Sequence, residues 1–233
     1  MLRQAVASQI DHDPYFTWRG DSVTRIENLS DIVFALALGM LVSASTPPTT
    51  YGELQDHLLN IIPVSAGFAL MLVIWNDHFT FFRRYGLNDT TIVFLNAALL
   101  LVILFIAYPL RFIFDSMFAW IYLLLGHPAR MQAMGIESYS EAGVIMAYFD
   151  AGFAVVYLLI GAMYSHALRK AELLGLSDAE QLLTRRTISL TRLCENVAVV
   201  AGLLAAITPL GPQAGVLFWV IWRGGEQNER GLI

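Results

Sequence analysis

The chain has 233 residues, 57% of them hydrophobic and 14% charged, and a mean hydropathy of +0.59. Soluble domains carry about 25% charged residues, so this deficit excludes an ordinary soluble globule; it points to an all-α membrane protein with room for about six spans of roughly 20 residues each. The formal net charge of −5 gives no electrostatic case for nucleic-acid binding, and one cysteine, Cys194, leaves no disulfide framework and no cysteine-based zinc site.

Residues 1–22 lack the basic start, apolar centre and small-residue cleavage site of a signal peptide, and read as a polar surface lead-in. A six-span domain follows over 23–225, and 226–233 form a polar tail. The first span covers 23–44 and ends at Thr46-Pro47-Pro48, because proline cannot supply the next helix hydrogen bond. The second, 54–83, carries Pro63 as a kink and closes on the basic turn Arg83-Arg84-Tyr85-Gly86. The third, 89–117, holds Asn96 in an apolar run, a bend at Pro109, and Arg111 and Asp115 four residues apart on one face. Residues 118–140 run from an apolar stretch, 119–125, suited to extending the third span, through the breaker Gly126-His127-Pro128 into a surface loop. The fourth span, 142–168, encloses Asp150 with no evident partner. Residues 169–186 are polar, helix-prone and expected outside the bilayer. The fifth span, 188–207, carries Arg192, Glu195 and Asn196 near its start, and the sixth, 213–222, is short.

The basic residues fall on alternate connections. Arg3, Arg19 and Arg25 precede the first span; Arg83 and Arg84 join the second and third; Arg169, Lys170, Arg185 and Arg186 join the fourth and fifth; Arg223 and Arg230 follow the sixth. The opposite loops carry only Arg130. By the positive-inside rule this multi-pass chain keeps both termini in the cytoplasm, with an even number of crossings of the inner (plasma) membrane.

The opening of the first span, Arg25 to Val42, reads RIENLSDIVFALALGMLV. Ionisable groups at the mouth of such a helix are costly unless they pair or reach a wet cavity. At about 100° per residue, Leu36, Met40 and Ser43 share one stripe, and Asp31 lies roughly 140° round from it. Apolar stripes usually pack on neighbouring helices or lipid, so spacing alone assigns this one no further role. Arg25, Asp31 and His78 all fall near the cytoplasmic ends of their spans, where an arginine pairs with a carboxylate and a histidine donates to one. Three unrelated interface residues that snorkel to water would satisfy the same spacing.

Arg25, Ser30 and Asp31 fit an Arg-x-x-x-Phe-Ser-Asp pattern ahead of an apolar helix, with Leu29 in the phenylalanine place. Trp75 and His78 give a Trp-x-x-His spacing on the second span, Asn96 supplies an asparagine on the third, and Pro109 a proline further along. Together these features resemble the transmembrane protein 175 family of potassium channels, over most of residues 20–115. The resemblance implies a homotetramer whose four first spans line one passive pore for potassium, with no other cofactor. It implies that Leu36 makes the narrowest ring and that Met40 and Ser43 form further layers. It also implies that Arg25, Ser30, Asp31, Trp75, His78 and Asn96 lock the pore helix to its neighbours by hydrogen bonds. Gly39 stands where the family has threonine, so a ring of hydroxyls is missing and weaker potassium selectivity is expected. No Thr-Val-Gly-Tyr-Gly filter occurs in the chain. Discrimination then rests on pore width and the cost of shedding water.

The competing reading is a secondary transporter or integral-membrane enzyme that uses Asp31, His78, Arg192 and Glu195 as a buried polar site. Arg192 and Glu195 are three apart and can pair on one helix face. Enzyme chemistry and a metal centre are not expected: His12, His57, His78, His127 and His166 are scattered, and no pair sits at helical spacing.

Overall fold

The computed structural model describes residues 15–20, 22–43, 47–126, 132, 134–136 and 138–207. The expected sixth span and the tail lie outside the described residues. The principal described elements are six helices: α1 (Arg25–Ser43), α2 (Tyr51–Leu59), α3 (Ile61–Tyr85), α4 (Thr90–Leu124), α5 (Tyr139–Arg169) and α6 (Asp178–Ile207). Among the described residues, five stretches are long and apolar enough to cross a bilayer: Arg25–Ser43, Tyr51–Tyr85, Thr90–Leu123, Ser140–Arg169 and Asp178–Ile207.

Local chemistry sets the helix starts. α1 opens with a reciprocal capping box, in which the Thr24 N–H donates to Glu27 Oε1 at 2.9 Å and the Glu27 N–H to Thr24 Oγ1 at 3.3 Å. Ser177 and Glu180 do the same for α6, at 2.8 and 3.3 Å. That cap starts α6 at Asp178, so the second half of the polar stretch, 178–186, opens one continuous 30-residue helix with the fifth span. Asp89 caps α4 by accepting from the Ile92 N–H at 3.3 Å, and α4 then runs 35 residues, past the expected end at 117 and with Pro109 inside it. The expected kink at Pro63 is instead an interruption at Asn60. Proline has no N–H for the Leu59 carbonyl, so the ladder breaks there, and it resumes with the Val64 N–H donating to the Asn60 carbonyl at 3.2 Å.

α4 is the central helix. It packs on α1, α3 and α5, while α5 and α6 form an antiparallel hairpin. The core between them is apolar and aromatic: Phe34, Met71, Ile74, Phe81, Leu99 and Ile103 are all buried. Phe81, Tyr85 and Tyr164 meet ring to ring at centroid distances of 5.2–5.6 Å.

Part of the lead-in is packed as well, which departs from the surface segment expected there. Phe16 is 2% exposed, edge-on to Tyr85, with the Arg84 guanidinium 4.9 Å from its ring centre. The Arg19 and Gly20 N–H groups both donate to the Arg83 carbonyl at 3.1 Å. A side chain at Gly20 would strike the Phe82 carbonyl at 2.5 Å, so only glycine permits this approach. Arg19 grips Glu180 with two nitrogens, at 2.9 and 3.0 Å, and the carbonyls of Leu174 and Gly175.

Candidate functional site

α1 has two faces. Glu27, Ser30, Phe34, Ala37 and Leu41 recur at alternating spacings of three and four and are buried against α3 and α4. Leu29, Ile32, Leu36, Gly39 and Ser43 recur at the same spacings on the far side, roughly 160° round. All five are exposed, Leu36 to 54%. Met40 is half-buried at the edge of this face. A Cβ built on Gly39 meets nothing within 4 Å. The sequence stripe Leu36–Met40–Ser43 therefore lies on or beside the open face and away from the core.

Polar side chains hold the other face in place. Asn96 on α4 donates through Nδ2 to Ser30 Oγ on α1 at 3.0 Å, and Ser30 in turn donates to the Ile26 carbonyl at 2.8 Å. Asn96 Oδ1 lies 2.7 Å from His78 Nε2 on α3; with the amide oxygen as acceptor, that ring nitrogen carries the proton. His78 is 3% exposed and sits between the rings of Phe34 and Phe82, at 5.5 and 4.8 Å. Three helices thus meet at one buried network in which every member has a partner. Buried polar groups without one cost about 1–3 kcal/mol each.

Asp31 and Arg25 stand apart from that network. Trp75 Nε1 donates to Asp31 Oδ1 at 3.0 Å, and the indole stacks on Phe79. Arg25 is exposed, and among the described residues no hydrogen bond or ion pair joins it to Asp31 or His78. In place of one Arg25–Asp31–His78 cluster, the chain has two separate ties, Trp75–Asp31 and His78–Asn96–Ser30.

Sequence reasoning missed a third tie, at the other end of α1. Arg111 and Asp115 do pair, Nε to Oδ2 at 3.1 Å. Arg111 Nη1 also reaches across to α1 and donates to the carbonyls of Leu41 at 2.8 Å and Val42 at 3.4 Å. These are the orphan acceptors of a helix end, and α1 has no basic residue of its own in its last turn. An arginine deep in an apolar run, with a single carboxylate to hold, was the available signal.

The α4 cap adds a further anchor at the arginine-rich end. Lys170 Nζ and His166 Nε2 donate to Asp89 Oδ2 at 2.6 and 2.8 Å. Burial alone raises the Asp89 carboxyl, but these two donors and the Ile92 N–H outweigh it and hold the group at about 2.

Arg192 and Glu195 form no ion pair among the described residues: Arg192 is exposed and Glu195 half-buried. No described hydrogen bond or ion pair links either of them to Asp31 or His78, so the four residues of the competing reading do not form one site. Among the described residues there is also no group of three or more His, Cys, Asp or Glu side chains that could hold a metal.

A pinned apolar helix with one open face can be compared with known proteins. A family model described as "Endosomal/lysosomal potassium channel TMEM175" matches residues 25–107, which contain α1, α3 and all three ties apart from Arg111. A protein of Marivirga tractuosa named "Potassium channel" is 32% identical over 213 residues, covering 90% of this chain and 85% of that protein. The crystal structure of a point variant of the potassium channel MtTMEM175, bound to a nanobody–MBP fusion, superposes with a TM-score of 0.81 at 30% identity, over 95% of this chain and 100% of that one. A homologue, from Chamaesiphon minutus, of the lysosomal potassium-selective channel TMEM175 aligns with a TM-score of 0.50 at 21% identity over 84% and 96% of the two chains, and speaks for the fold. The chain belongs to the TMEM175 family of potassium channels, a family of ion channels and not of enzymes.

Proposed function

We propose that the chain conducts potassium passively, down its electrochemical gradient, through a pore lined by the open face of α1 from four copies. The observation that carries this is the division of α1: one face tied to α3 and α4 by buried hydrogen bonds, the other apolar and uncovered by this chain. One helix encloses nothing, so the open face acquires a lumen only when copies meet round an axis. In that arrangement Leu36 forms the narrowest ring, Met40 and Ser43 line the layers beyond it, and Gly39 leaves a wide, unlined level. An apolar ring controls passage by dewetting and by width. Ser30, Asp31, Trp75, His78 and Asn96 act as the fasteners that keep α1 from rotating. The membrane is the inner (plasma) membrane, with the arginine-rich end in the cytoplasm.

Recordings from purified protein in planar bilayers, with potassium on one side and sodium on the other, test the proposal. Unitary currents that reverse toward the potassium potential are expected. Saturable, coupled flux without unitary events would assign the chain to carriers. Leu36→Ala should raise unitary conductance and sodium permeability; currents unchanged by that substitution would remove Leu36 from the conduction path.

A further inference from the structure

A groove of about 560 Å³ opens between the end of α5 and the first half of α6. Arg169, Arg185 and Arg192 line it, with the hydroxyl-bearing Ser165 and Ser189 between them and Leu168 and Ile188 among the lining. All three arginines are exposed, and none has an ion pair among the described residues. Among the described residues the guanidinium of Arg169 bonds to the His166 ring, Nη2 to Nδ1 at 3.4 Å. The nearby Asp89 carboxylate is already occupied by Lys170 and His166. The groove therefore concentrates three guanidinium groups that no carboxylate pairs with among the described residues, on helices long and apolar enough to span a bilayer.

The walls change character along their length. On α6 the stripe Arg185, Ser189, Arg192, Asn196, Val199, Leu203 follows a helical spacing of four, three, four, three and four, and every member is exposed. On α5 the matching stripe runs from Arg169 and Ser165 down to the exposed Leu158 and Val155. Both walls thus pass from arginine and hydroxyl at the basic end to bare aliphatic surface further in. That sequence of environments matches an amphiphile with a phosphate head and acyl tails. A soluble phosphopeptide or free phosphate would use the arginines and leave the aliphatic track empty.

We propose that this groove is a binding site for an anionic phospholipid of the cytoplasmic leaflet. The phosphate lies among Arg169, Arg185 and Arg192, and one acyl chain follows Leu158 and Val155 against Val199 and Leu203. Guanidinium forks bind phosphate oxygens in pairs, and juxtamembrane basic clusters recognise acidic lipids. The inference stands apart from the conduction pathway, since it uses α5 and α6 and no residue of α1.

The test is native mass spectrometry of the full chain, released from nanodiscs of phosphatidylcholine with increasing fractions of phosphatidylglycerol. Wild-type protein retains phosphatidylglycerol in preference to phosphatidylcholine. The triple variant Arg169→Gln, Arg185→Gln, Arg192→Gln retains it on the order of a hundredfold less well, the product of a roughly fivefold loss per arginine. The corresponding triple lysine variant, which keeps charge and loses the fork, falls between the two and controls for assembly. If the triple glutamine variant fails to assemble, each single variant carries the roughly fivefold loss. Equal retention of the two lipids by wild type, or undiminished retention by the glutamine variants, overturns the proposal. So does full displacement of the lipid by inorganic phosphate, which would make the groove a simple anion site. Cross-linking of Ser189→Cys to a neighbouring copy in lipid-free detergent, in a Cys194→Ser background, would assign the groove to a subunit contact and overturn it as well.

Discussion

The two halves of the described bundle differ at a few polar groups, although Asp115 Oδ1 in the first is also unpartnered among the described residues and His166, Glu180 and Thr184 in the second are satisfied. Around α1, α3 and α4, Ser30, His78, Asn96 and Arg111 are buried, and each is matched to a donor or acceptor on another helix. In the α5–α6 hairpin, Arg185 and Arg192 stand exposed, without an ion pair among the described residues. Asp150, 0% exposed, has no hydrogen-bond partner for either carboxylate oxygen among the described residues. Satisfied networks fix one geometry, and unsatisfied groups invite a ligand, a proton or a neighbour. The first half is built to hold a helix still, and the second leaves chemistry open.

That contrast can be broken most forcefully at Asn96. Asn96→Leu removes the only acceptor shown for the His78 ring and the amide donor to Ser30, leaving both buried. The expected loss is about 1–3 kcal/mol for the stranded His78 ring nitrogen, Ser30 keeping its bond to the Ile26 carbonyl, and is read as a fall in the melting midpoint of the purified oligomer. A variant that melts with wild type would show that the network contributes nothing. Arg111→Gln comes next. It strands Asp115 and uncaps the Leu41 carbonyl, and should cost about 1–2 kcal/mol and loosen the end of α1, seen as faster amide exchange over residues 39–43. Protection unchanged there would dismiss the cap.

In the other half the sign reverses. Asp150→Asn removes a carboxylate that has no described partner, so the melting midpoint should rise slightly; a clear fall would reveal an acceptor role outside the described contacts. The smallest effect is at Asp89. Its folded value of about 2 lies below the ordinary 3.8, so its ionised form stabilises the fold above pH 3.8 and loses that contribution as pH falls through about 2. Asp89→Asn should melt below wild type at neutral pH, with the gap narrowing as the pH drops below 3.8 and closing near 2. A gap that does not depend on pH would mean that the helix cap matters and the ion pairs do not.

Much of this architecture was legible in the residues. Long apolar runs gave the helices, and the family resemblance at Ser30, Trp75, His78 and Asn96 singled out side chains that tie α1 to its neighbours. The pairing among them was not legible, because which donor meets which acceptor depends on helix rotation, and four polar groups at one depth admit several matchings. Arg111 escaped for a similar reason: its second partner is a backbone carbonyl, which has no sequence signature. The early start of α6 was available in Ser177-x-x-Glu180, a capping box that the polarity of the following residues obscured. The break lies at Asn60 and not at Pro63, since proline leaves the Leu59 carbonyl, four positions back, without its donor and the ladder faults just after it.

The vacancy beside Gly39 has a consequence for how such a protein diverges. A side chain added there would project into open space and disturb none of the packing that makes the chain fold. A family built this way can vary its chemistry at that level by single substitutions, leaving stability under separate control.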